Sequence, residues 1–252
     1  MTDPQNSNAS EWSAAAQHAN SAYAILRRLA TRAMGLTGAD IERIVREARL
    51  KARRDKRAIR YEDLEAAILR DRPQLPQDLR WRFAVHEAGH ALVHHVLKLG
   101  SIHGINIDTA NGGGYSELGF SASGSDTLSY REKILAMMMA GRAAEQIVIG
   151  NVSAGSAGAD DSDLARATIL ALAIERSLGF GAVHPLLYRN DKDPTTVLDA
   201  NPELAARIHV RLEKAVERAG AIIGKHRSKL NDLAKALFEE RALDGRAVRD
   251  IF

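Results

Sequence analysis

Cysteine is absent from the 252-residue chain. That absence excludes a disulfide framework and any thiolate metal site, so a metal ion would have to be held by His, Asp or Glu, and a reducing compartment is the natural home. Prolines number only six against 45% hydrophobic residues, a balance that excludes general disorder and suits one or two domains with their own cores. No apolar run approaches the roughly 20 residues of a membrane span. The start of the chain, Met1 to Ser21, is polar and has no signal-peptide core. A cytoplasmic protein with no membrane span is expected. No segment fits Gly-x-x-x-x-Gly-Lys-Ser/Thr, so the phosphate-cradling loop of a P-loop ATPase is missing. Excess charge is also small, at +3. The basic residues from Arg43 to Arg60 are interleaved with Glu42, Glu47 and Asp55 and lack aromatic companions for base stacking. They read as a solvated helix face, and no nucleic-acid partner is expected.

What is present is one stretch whose spacing dictates chemistry: His86-Glu87-Ala88-Gly89-His90 inside an apolar helical pattern that includes Phe83, Val85, Leu92 and Val93. Residues four apart share a helix face, so the two imidazoles aim at one point while Glu87 lies about 100° round the axis. Two neutral imidazoles can hold Zn²⁺. Such an ion, completed by a third ligand and a water, lowers the pKa of that water to about 7 and lets a neighbouring carboxylate take its proton. His86 and His90 are therefore candidate metal ligands and Glu87 the candidate general base.

Around this motif the chain reads as mainly α. Residues 1–20 form a flexible tail, 21–72 a small helical unit, 73–80 a linker with two prolines, and 81–252 the metal-binding domain. Thr37 with Asp40 makes a capping box for the second helix. Asp78 is placed to cap the motif helix, and Gly100 to close it. Ile102 to Ile107 and Tyr115 to Phe120, joined by Asn111-Gly112-Gly113-Gly114, predict one hairpin, whose edge could pair with an extended peptide. Ser129 with Glu132 predicts a capping box for a helix running through Ile147, in which Met137, Met138 and Met139 fill core. Further helices are expected from Asp161 or Ser162 to Leu178, from Glu203 to Ile223 and from Lys225 to Glu240, before an Asp244-Gly245 turn.

A catalytic zinc site usually takes a third protein ligand. His94 lies about 80° from His86 and suits the core better. Asp160, Asp161 and Asp163 crowd a loop-to-helix junction, where each could equally complement the helix dipole. From the residues alone the choice among them stays open.

His86-Glu87-Ala88-Gly89-His90-Ala91, Ala140-Gly141-Arg142-Ala143-Ala144-Glu145 and Asp163-Leu164-Ala165-Arg166-Ala167-Thr168, in that order, resemble the three motifs of the FtsH family of AAA proteases, and the similarity extends over about Ala24 to Phe252. The resemblance implies that Asp163 is the third zinc ligand, with Asp160 and Asp161 capping the helix. Glu145 then either orients a histidine from the second layer or pairs with Arg142. Gly38-Ala39-Asp40-Ile41 and the basic helix after it resemble the lid of the family's ATPase module. The ATPase core and membrane anchor of the family have no counterpart here, so ATP hydrolysis by this chain alone is not expected. Two origins fit: a natural short homologue, for which the polar start after Met1 speaks, or a fragment of a longer protease. The resulting expectation is a zinc-dependent endopeptidase for unfolded or flexible polypeptide, ATP-independent on its own. By resemblance it would be a homo-oligomer, hexameric in the family pattern, with an AAA ATPase as partner. The alternative is a non-catalytic zinc-binding adaptor of a full-length protease.

Overall fold

The computed structural model describes residues 22–70, 72, 74–109, 113–121, 126–154, 158–189 and 193–252. The expected tail at 1–20 and Asn111-Gly112 of the hairpin turn lie outside them. Helix α1 (22–32), α2 (Gly38–Arg54) and α3 (Tyr61–Arg70) form the small amino-terminal unit. Its core is Ile44, Ala67 and Ile68 packed against Leu29, Ala33, Leu36 and Leu64. The capping box predicted at Thr37 is present: its hydroxyl accepts from Asp40 N, and Asp40 accepts from Thr37 N. Gly35 ends α1 with φ 80°. Arg57 grips the buried Asp63 through two bonds of 2.6 and 2.7 Å, which fixes the turn between α2 and α3.

Helix α4 (Gln77–Val96) carries the motif and is buried from Ala84 to His94. Its start differs from expectation. Pro76 is the N-cap and gives no side-chain bond, so Asp78 sits in the first turn and complements the dipole instead of capping. Its end differs too. Lys98 takes the left-handed conformation (φ 54°), with Lys98 N bonded to His95 O and Leu99 N to His94 O, a Schellman closure that buries Leu99. Gly100 comes two residues too late for that role.

Strand β1 (Ile102–Asn106) pairs antiparallel with β2 (Tyr115–Leu118), as the alternation predicts. A third strand, β3 (Ala242–Asp244), joins the other side of β1 with Ile105 opposite Leu243, giving the order β2-β1-β3. Three residues at the far end of the chain carry too little pattern to announce such a pairing. Helix α5 (Leu128–Met138) starts earlier than expected, because the Thr127 hydroxyl accepts from Tyr130 N; Ser129 therefore lies inside the helix and caps nothing. The expected single helix breaks at Met139, and α6 (Ala140–Val148) continues in a new direction. Ser162 caps α7 (Asp163–Arg176) by accepting from Ala165 N, so Asp160 and Asp161 lie exposed before the helix and do not cap it. A short helix, α8 (Pro194–Asp199), precedes α9 (Pro202–Lys225) and α10 (Arg227–Glu240). Asp244 accepts from Arg246 N and Ala247 N and so starts α11 (Gly245–Ile251).

The main core joins α4, α6, α9, α10 and the sheet, with Val85, Leu92, Ile105, Ile223 and Leu233 fully buried. Trp81 meets Phe238 edge-on at 5.9 Å, tying α4 to α10. A second cluster joins α5, α7 and α9 through Leu135, Leu172 and Ile208. Buried Glu175 there accepts from Arg211 at 2.6 Å, pinning α7 to α9. The described helices include none long and apolar enough to cross a membrane.

Candidate metal centre

Three side chains from two helices converge. His86 Nε2 lies 3.0 Å from Asp163 Oδ2, His90 Nε2 lies 3.1 Å from the same oxygen, and the two Nε2 atoms are 3.1 Å apart. Helical spacing brings the histidines together on α4. Asp163 arrives because Ser162 starts α7 at the residue before it, leaving the aspartate in the first turn, facing the histidines.

The far nitrogen of each ring is engaged elsewhere. His90 Nδ1 lies 2.8 Å from Met137 O, which can only accept, so the proton sits on Nδ1 and Nε2 carries the lone pair. Met137 is in the last turn of α5. His86 Nδ1 lies 2.8 Å from Glu145 Oε1 and donates to that carboxylate. Two nitrogen lone pairs and a carboxylate oxygen thus point at one another. Such an arrangement repels itself unless a cation, either metal ion or proton, sits among them. Donors about 2.0 Å from a tetrahedral zinc ion lie roughly 3.3 Å apart, close to the 3.0 and 3.1 Å found here. The donor set and its spacing fit such an ion.

Electrostatics say the same. Burial opposes charge on His86, but Asp163 and Glu145 outweigh it and lift its pKa from 6.5 to about 10; with no metal, a proton stands in for the cation. Burial also opposes ionisation of Glu145, yet His86, the Ser153 N–H and Arg82 bring its pKa down to about 2. Asp163 is held well below the usual carboxylate range, against its own burial, by His90 and His86.

Glu145, 1% exposed, is the anchor of a layer behind the cluster. It accepts from Arg82 Nη1 at 2.6 Å and from Ser153 N at 2.8 Å, and Arg82 continues to Asn151 Oδ1 at 2.7 Å. The cation beside Glu145 is thus Arg82, and the alternative pair with Arg142 is not the one formed. Arg82 precedes His86 by one turn on the same face of α4, a spacing that could have revealed it. Gly141 belongs to the site by omission: a Cβ there would lie 2.4 Å from the His86 ring.

Glu87 points to the other wall, where its Oε2 accepts from Ser116 Oγ at 2.5 Å. Sequence reading missed Ser116, because a serine in a short strand carries no signal until the strand is placed against α4. His86, Glu87, His90 and Asp163 line a cleft of about 660 Å³ bordered by β2, with Phe83 and Met138 on its apolar side. His94 is not part of it; fully buried, it makes a bond of 3.0 Å between Nε2 and Gly119 O.

Comparison with known proteins places this geometry. The chain is 32% identical to the ATP-dependent zinc metalloprotease FtsH of Thermotoga maritima over 254 aligned positions, covering 90% of this chain and 40% of that protein. It is 32% identical to the protein of the same name from Kosmotoga olearia, covering 88% and 38%, and 31% identical to that of Methylococcus capsulatus, covering 90% and 39%. The chain therefore spans about two fifths of the length of these curated relatives. The AAA+ lid domain matches residues 25–66. Peptidase family M41 matches residues 75–251, a span that holds the histidine pair, Glu87, Glu145 and Asp163, and the chain belongs to that family.

Proposed function

We propose that the chain is a zinc-dependent endopeptidase acting on unfolded or flexible polypeptide, with His86, His90 and Asp163 as metal ligands and Glu87 as general base. The observation that carries this reading is the convergence of three lone-pair donors 3.0 to 3.1 Å apart, each imidazole already tethered through its other nitrogen. The relatives named zinc metalloproteases support the choice of metal. Bound there, zinc supplies Lewis acidity that polarises a peptide carbonyl and acidifies water near neutral pH.

The chain's own residues supply the rest. Glu87 accepts the proton of the attacking water and returns it to the leaving amine. Glu145 keeps the His86 Nδ1 proton in place, which leaves Nε2 free for the ion. Strand β2, at the outer edge of the sheet and against the cleft, offers backbone groups to an extended substrate. Pairing of that kind reads main chain more than side chains, so sequence preference is weak and folded substrates resist. The proposal includes assembly with further copies and with an AAA ATPase that supplies unfolding force, while cleavage of already flexible substrates by this chain needs no ATP.

The test is hydrolysis of casein by zinc-loaded protein, with and without ATP, beside Glu87→Gln and a chelated sample. Cleavage lost in Glu87→Gln at unchanged zinc content supports the endopeptidase. Equal rates in both, or none in either, would leave a zinc-binding adaptor as the better reading.

A further inference from the structure

The base candidate Glu87 also has a short, specific partner in the cleft. Glu87 is 7% exposed and its Oε2 accepts from Ser116 Oγ at 2.5 Å. Its other side is closed by Gly114, where even a methyl group would come within 2.5 Å of Oε1 and 2.8 Å of Cγ. Both contacts come from the amino-terminal end of β2 and the residue before it. Among the described residues that strand pairs with β1 alone, with Ser116 opposite Ile105, and its residues Tyr115 to Leu118 line the cleft.

We infer that Ser116 is a positioning residue for Glu87, and that Gly114 and Ser116 together form a clasp through which β2 sets the orientation of the base. A free glutamate has three side-chain torsions, and productive proton transfer needs one arrangement of them. The Ser116 hydroxyl donates to Oε2 and fixes the plane of the carboxylate. Gly114 removes the space into which it would otherwise swing. Since the same strand presents its free edge to the cleft, a peptide added there stiffens β2 and with it the clasp. Substrate binding and base alignment then share one element. This inference rests on the endopeptidase reading for its catalytic consequence, but the contact itself does not.

The experiment is Ser116→Ala and Ser116→Thr in the full chain, with zinc content, peptide-hydrolysis kinetics and thermal unfolding measured on each. Ser116→Ala is expected to lower kcat roughly 10-fold, the scale of losing a residue that orients a catalytic group, with KM and zinc content near the parent and most of the loss restored in Ser116→Thr. A double-mutant cycle in stability with Glu87→Ala reads the contact without any need for turnover. No coupling between the two positions overturns the contact. Coupling with unchanged or raised kcat overturns the positioning role. Should the parent itself fail to cleave in a zinc-dependent way, the endopeptidase reading falls separately, and the cycle still decides whether β2 holds Glu87.

Discussion

At the scale of single residues, charge in the site is arranged so that a cation is demanded before one arrives. His86 lies between Asp163 and Glu145 and, with a pKa of about 10 when metal is absent, carries a proton at neutral pH. An incoming ion must displace that proton. Metal binding at pH 7 is expected to release about one proton per ion and to weaken as pH falls; calorimetry in two buffers of different ionisation enthalpy measures this. Glu145 gives a second pH signature. Its pKa is lowered from 4.5 to about 2, so its contribution to stability is complete above pH 4.5 and lost as pH falls through about 2. Glu145→Gln is expected to flatten that acid limb of unfolding temperature against pH in the metal-free protein. It also weakens metal binding on the order of 10- to 100-fold by loosening His86, measurable by competition with a chromophoric chelator. Gly141→Ala acts on the same ring by contact: with 2.4 Å to the imidazole, the added methyl displaces it, and zinc content after dialysis falls.

At the scale of elements, α4 is placed by what it packs against more than by its own ends. Without a side-chain cap, its position depends on the close approach of α6 at Gly89. A Cβ there would lie 2.7 Å from both Ala140 O and Ala144 Cβ. Gly89→Ala is expected to cost about 1–3 kcal/mol, the usual range for overpacking a tight contact, read from the midpoint of urea unfolding. The break at Met139 serves the site as well, since it turns the end of α5 so that Met137 O meets His90. Sequence pattern could not place that break. The apolar periodicity runs on through Ala140 and Ala143, and only the packing of α6 against α4 and α9 decides where the direction changes.

At the scale of the whole molecule, the lid-like unit is bound to the rest of the chain by polar groups. Asn106 of β1 donates to Thr31 O at 2.8 Å and accepts from Asp108 N at 2.7 Å. Arg72, in the connection between the two, donates to Arg32 O at 2.7 Å. Arg32 in turn donates to Glu240 O at 3.1 Å and pairs with Glu65 at 2.7 Å. The Asn106 amide, which also reaches Arg32 O at 3.4 Å, ties the end of α1 to β1, and Arg32 ties it to the end of α10. Asn106→Ala removes the bonds to Thr31 O and Arg32 O, and the local one from Asp108 N, from a buried position, at a cost of about 1–3 kcal/mol. Limited proteolysis should then cut faster in the connection between α3 and α4, while a parent-like rate would show that the Asn106 bonds do not hold the lid.

Much of this protein was legible before folding because the decisive signals are local. The four-residue interval of His86 and His90 dictates a shared face on any helix, the Thr37 capping box is complete within four residues, and the alternation from Ile102 announces a strand. Asp163 was different: geometry along the chain left it level with Asp160 and Asp161, and only resemblance separated them. What tertiary structure alone decided are pairings across long separations. These are β3 against β1, Arg82 with Glu145 and Asn151, Ser116 with Glu87, and Asp163 as the member of its cluster that meets the imidazoles. They form because a charged or hydrogen-bonding group taken out of water needs a partner to offset the lost hydration, and no periodicity within a segment encodes which distant partner will be there.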